Sequence, residues 1–334
     1  MAGRRTNLAL LLLLAGAFAT GGLAYAIGTG WVRWAVIPHA VLGLAILVLA
    51  PWKSAIARRG LARPRPDNWA SLAFAVLVSA ALLFGIAHST GALRSVNGYA
   101  TLNLHVAFAI LSVPFAIWHV VARRVAPRRT DLSRRNLLRA AGVLGWTGLG
   151  YGAVEAAGRL AGTAAGERRF TGSFEAGSFD PGRMPVTQWL DDAVPSIEGA
   201  GWRLTVRTEA GVRTLALGDL ERGDRVRATV DCTGGWFAEQ DWEGARLDRL
   251  LGDPGEARSV FVRSVTGYGR RFPVRDLSRL WLATRAGAEP LSAGHGYPAR
   301  VVAPGRRGFW WVKWVTEIEL SPRPWWLQSP FPLT

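Results

Sequence analysis

The stretch that organises the chain is Val230-Asp-Cys-Thr-Gly-Gly-Trp236, which contains the only cysteine of 334 residues. A lone thiol cannot form an intrachain disulfide, so Cys232 packs inertly, attacks as a nucleophile or ligates a soft metal. Inert packing is the most common role of a free cysteine. The sequence that follows Cys232 is therefore needed to distinguish the three roles.

Two motifs downstream of Cys232 carry a family resemblance. The first runs Trp242-Glu-Gly-Ala-Arg-Leu-Asp-Arg-Leu-Leu251, and the second is His295-Gly-Tyr-Pro-Ala-Arg300 followed by Val312-Lys-Trp314. In composition and order they resemble the molybdopterin-binding domain of the sulfite oxidase family, over roughly residues 170–322. The resemblance implies an α+β fold dominated by strands and a molybdenum cofactor.

The resemblance also implies roles for individual side chains. The sulfur of Cys232 would bind molybdenum, while His295, Arg300 and Lys313 would contact the pterin and its phosphate. These roles suit the chemistry, since thiolate is a soft ligand, arginine offers a planar fork for phosphate and lysine a point charge. Two further cofactor-binding candidates are Trp236 and Tyr268, and the alternative for Tyr268 is a surface turn.

Charge divides the chain into two halves. Residues 1–166 carry 17 Lys/Arg and 3 Asp/Glu, whereas residues 167–334 carry 23 and 21, so nearly all of the net charge of +16 lies in the first half. A basic excess can indicate nucleic-acid binding. Here the positive residues stand between long apolar runs, which indicates a membrane topology and no nucleic-acid partner.

The apolar runs have the length that a bilayer-spanning helix requires. A cleavable signal peptide is the alternative for the first run, but further runs follow it at once. We predict spans at about 8–27, 34–52, 69–88 and 100–122, and a milder fifth span at 140–157.

The basic loops orient these spans. Residues 1–7, 53–65 and 123–139 carry two, five and seven Lys/Arg, so the positive-inside rule places them in the cytoplasm. Ser-Arg-Arg-Asn-Leu-Leu-Arg at 133–139 resembles a twin-arginine export signal, and an ordinary basic anchor is the alternative. With either reading, a fifth span carries the C-terminal half outside the cytoplasmic membrane.

These observations predict an α-helical transmembrane bundle of four or five spans, followed by the strand-dominated α+β domain. The predicted divisions are 1–126 for a cytochrome b-like bundle, 127–169 for the twin-arginine-like segment, fifth span and tether, and 170–334 for the molybdopterin domain. Within the last division we expect short helices at 247–251 and 276–283. No internal repeat is evident from the residues.

Four of the five histidines lie in the membrane half. Ionisable residues inside spans are costly and usually functional, and paired imidazoles at matched depth are what a low-spin haem b needs. We predict His39 and His105 as the iron ligands, with His88 as a substitute partner. His119 lies 14 residues after His105 and faces the headgroups or ligates a second iron, and one haem is the expected count.

The predicted function is electron exchange with the quinone pool through haem b and the molybdenum centre. Gly235 and Trp236 stand where sulfite oxidases carry basic residues, and residues 320–334 contain no tyrosine. Trp236, Trp242 and Gly244 resemble the periplasmic methionine sulfoxide reductase branch, although Gly234 replaces its acidic residue. The expected substrate is an S-oxide or N-oxide, free or protein-bound. The alternatives are sulfite oxidation, or a haem-only electron carrier with a non-catalytic docking domain.

Overall fold

The computed structural model describes residues 2–62, 65–188, 193–329 and 331. The chain divides into two compact units, the first formed by Met1–Tyr25 with Gly30–Phe174 and the second by Ala26–Thr29 with Glu175–Thr334. Each unit has its own secondary structure, helical in the first and strand-rich in the second.

The first unit consists mainly of long helices. Their bounds are α1 Ala2–Ala26, α2 Arg33–Leu61, α3 Asn68–Thr90, α4 Thr101–Ala122 and α5 Arg134–Leu160. A short hairpin, β1 Ser95–Val96 and β2 Tyr99–Ala100, precedes α4. Its turn is Asn97-Gly98, and both residues have positive φ, as a tight hairpin turn requires.

Within the described part of the chain, four helices, α1 to α4, are long and apolar enough to cross a membrane. They cover the four apolar runs that the sequence indicates. The fifth predicted span is also helical, but the glycines of α5 and its Glu155 leave it less apolar than the others. The twin-arginine-like residues Arg134 and Arg135 open α5 with exposed side chains.

The second unit is built mainly from strands. The bounds are β3 Phe174–Glu175, whose first residue belongs to the first unit, β4 Leu204–Thr208, β5 Gly211–Leu215, β6 Asp224–Asp231, β7 Trp236–Arg246, β8 Ser259–Ser264, β9 Gly269–Pro273, β10 Trp281–Ala286, β11 Glu289–Pro290, β12 Arg300–Val302 and β13 Val315–Ser321. One short helix, α6 Leu247–Leu251, follows β7 directly.

These strands form two sheets. In one, β10 pairs with β7, β11 and β12, and β7 also pairs with β6 and β3. In the other the order is β5–β4–β13–β8–β9, with β13 parallel to β4 and antiparallel to β8. Alternating side chains of these strands are buried, which explains the period-two apolar pattern of the sequence. Fully buried examples are Leu204, Val206, Val260, Val262, Val315 and Ile318.

Most expected elements of this unit are confirmed, including the strands near 204, 226 and 259 and the helix at 247–251. The predicted helix at 276–283 is wrong. Residues Val274–Arg279 form a 3₁₀ turn, and Trp281 then begins β10. Because β10 is hydrogen-bonded on both edges, by β7 and β12, sheet pairing overrides the local helical preference.

Candidate functional site

Cys232 lies in a tight turn between β6 and β7. Its N–H donates to the Trp236 carbonyl at 2.8 Å, and the Gly235 N–H donates to the Cys232 carbonyl at 3.1 Å. The Gly234 N–H points at Sγ from 3.3 Å. The half-buried thiol is therefore held in place, with a backbone donor at its sulfur.

A buried ion pair lies directly behind this turn. Arg307 Nη1 donates to Asp231 Oδ1 at 2.5 Å, and the two side chains are 2% and 3% exposed. Arg307 Nη2 also approaches the Cys232 carbonyl at 3.3 Å. Sequence reasoning missed this pair, for which the only signal is the acid preceding the cysteine. The pair thus holds the backbone of Cys232 through its carbonyl.

The three residues predicted to contact the pterin and its phosphate, His295, Arg300 and Lys313, lie together. Arg300 Nη1 donates to the His295 carbonyl at 3.0 Å, and its guanidinium lies over the Trp242 ring at 5.1 Å. Lys313 Nζ donates to the carbonyls of Gly294 at 2.6 Å and Thr187 at 3.0 Å. The described contacts thus orient the positive groups through backbone carbonyls.

Burial disfavours the positive charges of Arg300 and Lys313. It lowers the pKa of Arg300 to about 10 and that of Lys313 to about 7, while the Cys232 sulfur acts in the opposite direction on both. Arg300 Nε is buried without a hydrogen-bond partner among the described residues. A bound anion would supply both the missing charge and the missing acceptor. These residues therefore fit the phosphate of a pterin cofactor.

A pocket opens beside the Cys232 thiol. The described residues that line it are Thr187, Gln188, Cys232, Thr233, Ser264, Thr266, Tyr268, Gly308, Phe309, Trp311, Lys313 and Trp314. Tyr268 lines the pocket and donates to the Phe309 carbonyl at 2.5 Å. Trp236 contributes to the pocket through Thr187, because its Nε1 donates to Thr187 Oγ1 at 2.9 Å. The exposed surface of the pocket is mainly apolar, with hydroxyl groups on five of the described lining residues, and this described lining includes one cation and no carboxylate.

His295 is a neutral member of the cluster. Burial, followed by the charges of Arg300 and Lys313, lowers its pKa to about 4, while its Nδ1 meets Ser292 Oγ at 2.8 Å. Because the unfolded chain binds a proton near pH 6.5 and the folded chain does not, stability falls as the pH drops from 6.5 towards 4.

We therefore expect acidification across this window to cost the cofactor-free wild type on the order of 3 kcal/mol through this one group. His295→Asn should remove that part of the pH dependence. The measurement is the apparent melting temperature, followed by tryptophan fluorescence at several pH values. If the melting temperatures of the two proteins fell equally with pH, His295 would be charged in the folded chain over this range.

The first unit brings together the two histidines predicted as iron ligands. The rings of His39 on α2 and His105 on α4 lie 5.7 Å apart, centroid to centroid, at 80° to each other. A metal lies about 2 Å from a ligating imidazole nitrogen and the ring adds about another ångström on either side, so this spacing suits one iron between two rings.

The surroundings of the two rings match as well. His39 Nδ1 meets the Ala17 carbonyl at 2.9 Å, and His105 Nδ1 meets the Ala81 carbonyl at 2.7 Å. A backbone acceptor at Nδ1 fixes the tautomer that leaves Nε2 for a metal. Each ring also packs against a glycine one turn further along, Gly21 or Gly85, where a Cβ would lie 2.9 Å from a ring atom. The described geometry thus fits a bis-histidine haem.

The other two histidines lie apart from this pair. His88 Nε2 meets the Gly172 carbonyl at 3.1 Å, and its ring packs edge-on against Phe174. His88 is therefore engaged by the segment that follows α5, which weighs against its predicted role as a substitute ligand. His119 Nδ1 meets Ser71 Oγ at 3.4 Å near the other end of α4.

Comparison with known proteins identifies part of the second unit. Residues 191–327 match the family model "oxidoreductase molybdopterin binding domain". Human mitochondrial sulfite oxidase is 28% identical over 167 residues, covering 39% of this chain and 31% of the human protein. The Drosophila melanogaster enzyme is 27% identical, covering 39% of this chain and 29% of its own. The chain spans about a third of the length of these relatives.

Among solved structures, the sulfane dehydrogenase SoxCD of Paracoccus pantotrophus aligns with 25% identity and a TM-score of 0.37, over 39% of this chain and 40% of its own. The sequence matches agree with the residues assembled around Cys232. Residues 191–327 of the second unit form a molybdopterin-binding oxidoreductase domain that is similar in sequence to sulfite oxidases.

Proposed function

We propose that this chain is a membrane-anchored molybdenum-cofactor oxidoreductase that exchanges electrons through haem b with the quinone pool and reduces an S-oxide or N-oxide outside the cytoplasmic membrane. Methionine sulfoxide, free or in a protein, is the representative substrate. The observation that carries the proposal is the pocket lined by Cys232 and Lys313, in which hydroxyl groups stand in a mainly apolar wall.

Residues in and near the pocket have separate roles in holding the cofactor. Cys232 supplies the soft sulfur ligand for molybdenum, and Arg300 and Lys313 supply positive charge for the pterin phosphate. His295, neutral above pH 4, offers hydrogen bonds without further charge. When bound, molybdenum supplies two-electron redox chemistry, and the protein supplies binding and orientation.

The lining of the pocket supports a neutral oxidised substrate. Thr187, Thr233 and Ser264 offer hydroxyl donors, which hydrogen-bond a polar S–O or N–O group without demanding a net charge. Tyr268 and Thr266 already donate their hydroxyl hydrogens, to the Phe309 carbonyl and to Ser264 Oγ. Lys313, the cation in the described lining, already donates to two backbone carbonyls. Reduction of a sulfoxide takes two electrons and two protons and yields a sulfide and water, and a quinol carries both electrons and both protons.

Sulfite oxidation is the second candidate, because the named relatives are sulfite oxidases. It would run electrons in the opposite direction, from sulfite towards quinone. Sulfite is an anion, however, and a pocket for it needs cationic groups that are free to bind it. In the described lining, Lys313 is the one cationic residue. It already donates to two backbone carbonyls, and the cofactor phosphate competes for its charge.

The membrane location rests on the apolar helices α1 to α4 and on the distribution of Lys/Arg between their connections. By the positive-inside rule the N-terminus and the loops after α2 and α4 are cytoplasmic. A fifth span, α5, then carries the second unit outside, with the twin-arginine-like segment before it as the export signal. Membrane lipid is accordingly a partner of the first unit.

The deciding experiment is cofactor analysis of the detergent-purified chain, expressed with the molybdenum cofactor pathway intact. We expect near-stoichiometric molybdenum together with a haem b spectrum. Quinol-dependent reduction of methionine sulfoxide, compared with oxidation of sulfite by quinone, then separates the two candidate reactions. Haem without molybdenum would overturn the enzyme and leave an electron carrier with a docking domain.

A further inference from the structure

The helical hairpins α1–α2 and α3–α4 repeat the same contacts. At one level, imidazoles on the second helix of each hairpin meet carbonyls of the first, as described for His39 and His105. At the other level, Lys53 Nζ donates to Asn7 Oδ1 at 2.9 Å, and His119 Nδ1 meets Ser71 Oγ at 3.4 Å. The first-helix partners in the two hairpins are 64 residues apart and the second-helix partners 66 apart.

This repeat was not evident from the residues, because different polar side chains fill equivalent positions. Lys53 follows His39 by 14 residues, as His119 follows His105, which is about four turns or 21 Å along each helix. The second level, the Lys53–His119 layer, consists of Asn7, Lys53, Ser71 and His119. Lysine occupies the place where a second iron would need a histidine, so the layer suits another ligand.

The chemistry of the layer is that of a hydrogen-bonding site with an apolar wall. Lys53 and His119 each lie 14 residues after His39 and His105, whose rings are 5.7 Å apart, so they share one level of the two hairpins. The four side chains of the layer are half-buried. The Phe74 ring lies 5.5 Å from the His119 ring. His119 is an ionisable residue within the fourth predicted span, at 100–122, and such residues are costly there and usually functional.

We propose that the Lys53–His119 layer binds the headgroup of the quinol that exchanges electrons with the haem. The inference rests on the proposed function and gives its quinone partner a site. The Lys53 ammonium donates to one headgroup oxygen, and a quinol hydroxyl donates to His119 Nε2, since Nδ1 faces Ser71. The Phe74 ring provides an apolar surface for the headgroup ring.

Oxidation of one quinol breaks two O–H bonds and yields quinone, two electrons and two protons. His39 and His105 would hold the haem b that accepts the electrons one at a time, and each proton would pass to the His119 imidazole and on to water at the nearby helix end. In the opposite direction the same groups would protonate a quinone.

A lipid phosphate is a competing ligand for a lysine near a membrane surface. The Lys53 ammonium, however, is held by Asn7, and α2 continues past it to Leu61. Arg58 lies on this continuation with an exposed side chain and is the residue placed to reach headgroups. Arg58→Leu is therefore the matched control, because it removes a positive charge from the same end of the same helix.

The test uses the full-length, haem-loaded chain and measures haem reduction by decylubiquinol in a stopped-flow spectrometer. Lys53→Leu and His119→Leu should each slow quinol-dependent reduction at least about tenfold, the loss expected for one hydrogen bond to a charged group. Haem content and reduction by dithionite should stay at wild-type levels. Arg58→Leu should reduce at the wild-type rate.

The outcomes separate the inference from the proposed function. Wild-type haem that quinol does not reduce would overturn quinone exchange itself. Wild-type reduction with unaffected variants, or equal losses in Arg58→Leu, would overturn the site and favour a lipid-binding role. If a variant loses haem, titration with a fluorescent hydroxyquinoline N-oxide replaces the kinetic assay, and Lys53→Gln, which can still bond Asn7, provides a milder change. Unchanged affinity in that titration would also overturn the site.

Discussion

Cys232→Ser is expected to lower oxidoreductase activity by at least about a hundredfold. This exceeds the loss usually seen when a residue that hydrogen-bonds a metal ligand is mutated. A serine hydroxyl is neutral at working pH and is a hard donor, so it replaces the soft thiolate poorly. The turn itself should persist, because its backbone hydrogen bonds to Trp236 and Gly235 do not involve the sulfur. The measurement is quinol-dependent sulfoxide reduction together with molybdenum and pterin content.

Pterin content separates a lost ligand from a lost fold. Arg300 and Lys313 remain in the variant, so we expect pterin to be retained while the sulfur coordination of molybdenum, read by X-ray absorption, changes. Thr233→Ser is the matched control, since it alters the adjacent pocket residue while retaining its hydroxyl. Activity of Cys232→Ser within a few-fold of wild type would mean that Cys232 packs inertly.

The site of the second unit was largely predictable, because its key side chains are unusual in type. A single cysteine, and a histidine, arginine and lysine in recognisable motifs, identify themselves in the sequence. The supporting contacts do not. Asp231 and Arg307 are 76 residues apart, and Thr187 and Lys313 are 126 apart, so each pair meets through tertiary packing that no local pattern encodes. The misassigned helix at 276–283 has the same cause, since β10 is fixed by strands distant in sequence.

The first unit shows a different limit. Matched depth on the predicted spans was enough to pair His39 with His105, and the structure brings these rings together. The acceptors at their Nδ1 atoms are backbone carbonyls of Ala17 and Ala81, and the packing sites are glycines. Neither carries a side-chain signal, so the repeat of two hairpins becomes visible only through the contacts.

His39→Leu and His105→Leu are each expected to lower haem content at least about tenfold, because each removes one of two iron ligands and leaves its partner unable to complete a low-spin centre. Leucine is close in size to histidine, so the helices should still pack around the site. Haem is measured per protein by the pyridine haemochrome, and the spin state of any residual haem by its reduced-minus-oxidised spectrum.

His88→Gln is the control for this pair, since glutamine can still donate to the Gly172 carbonyl that His88 meets. It should keep wild-type haem. Full haem in both leucine variants with loss in His88→Gln would move the ligand set to His88. Loss in all three would point to a bundle that no longer folds, which circular dichroism would reveal. Loss confined to His39 and His105 would mean that the two hairpins share one iron.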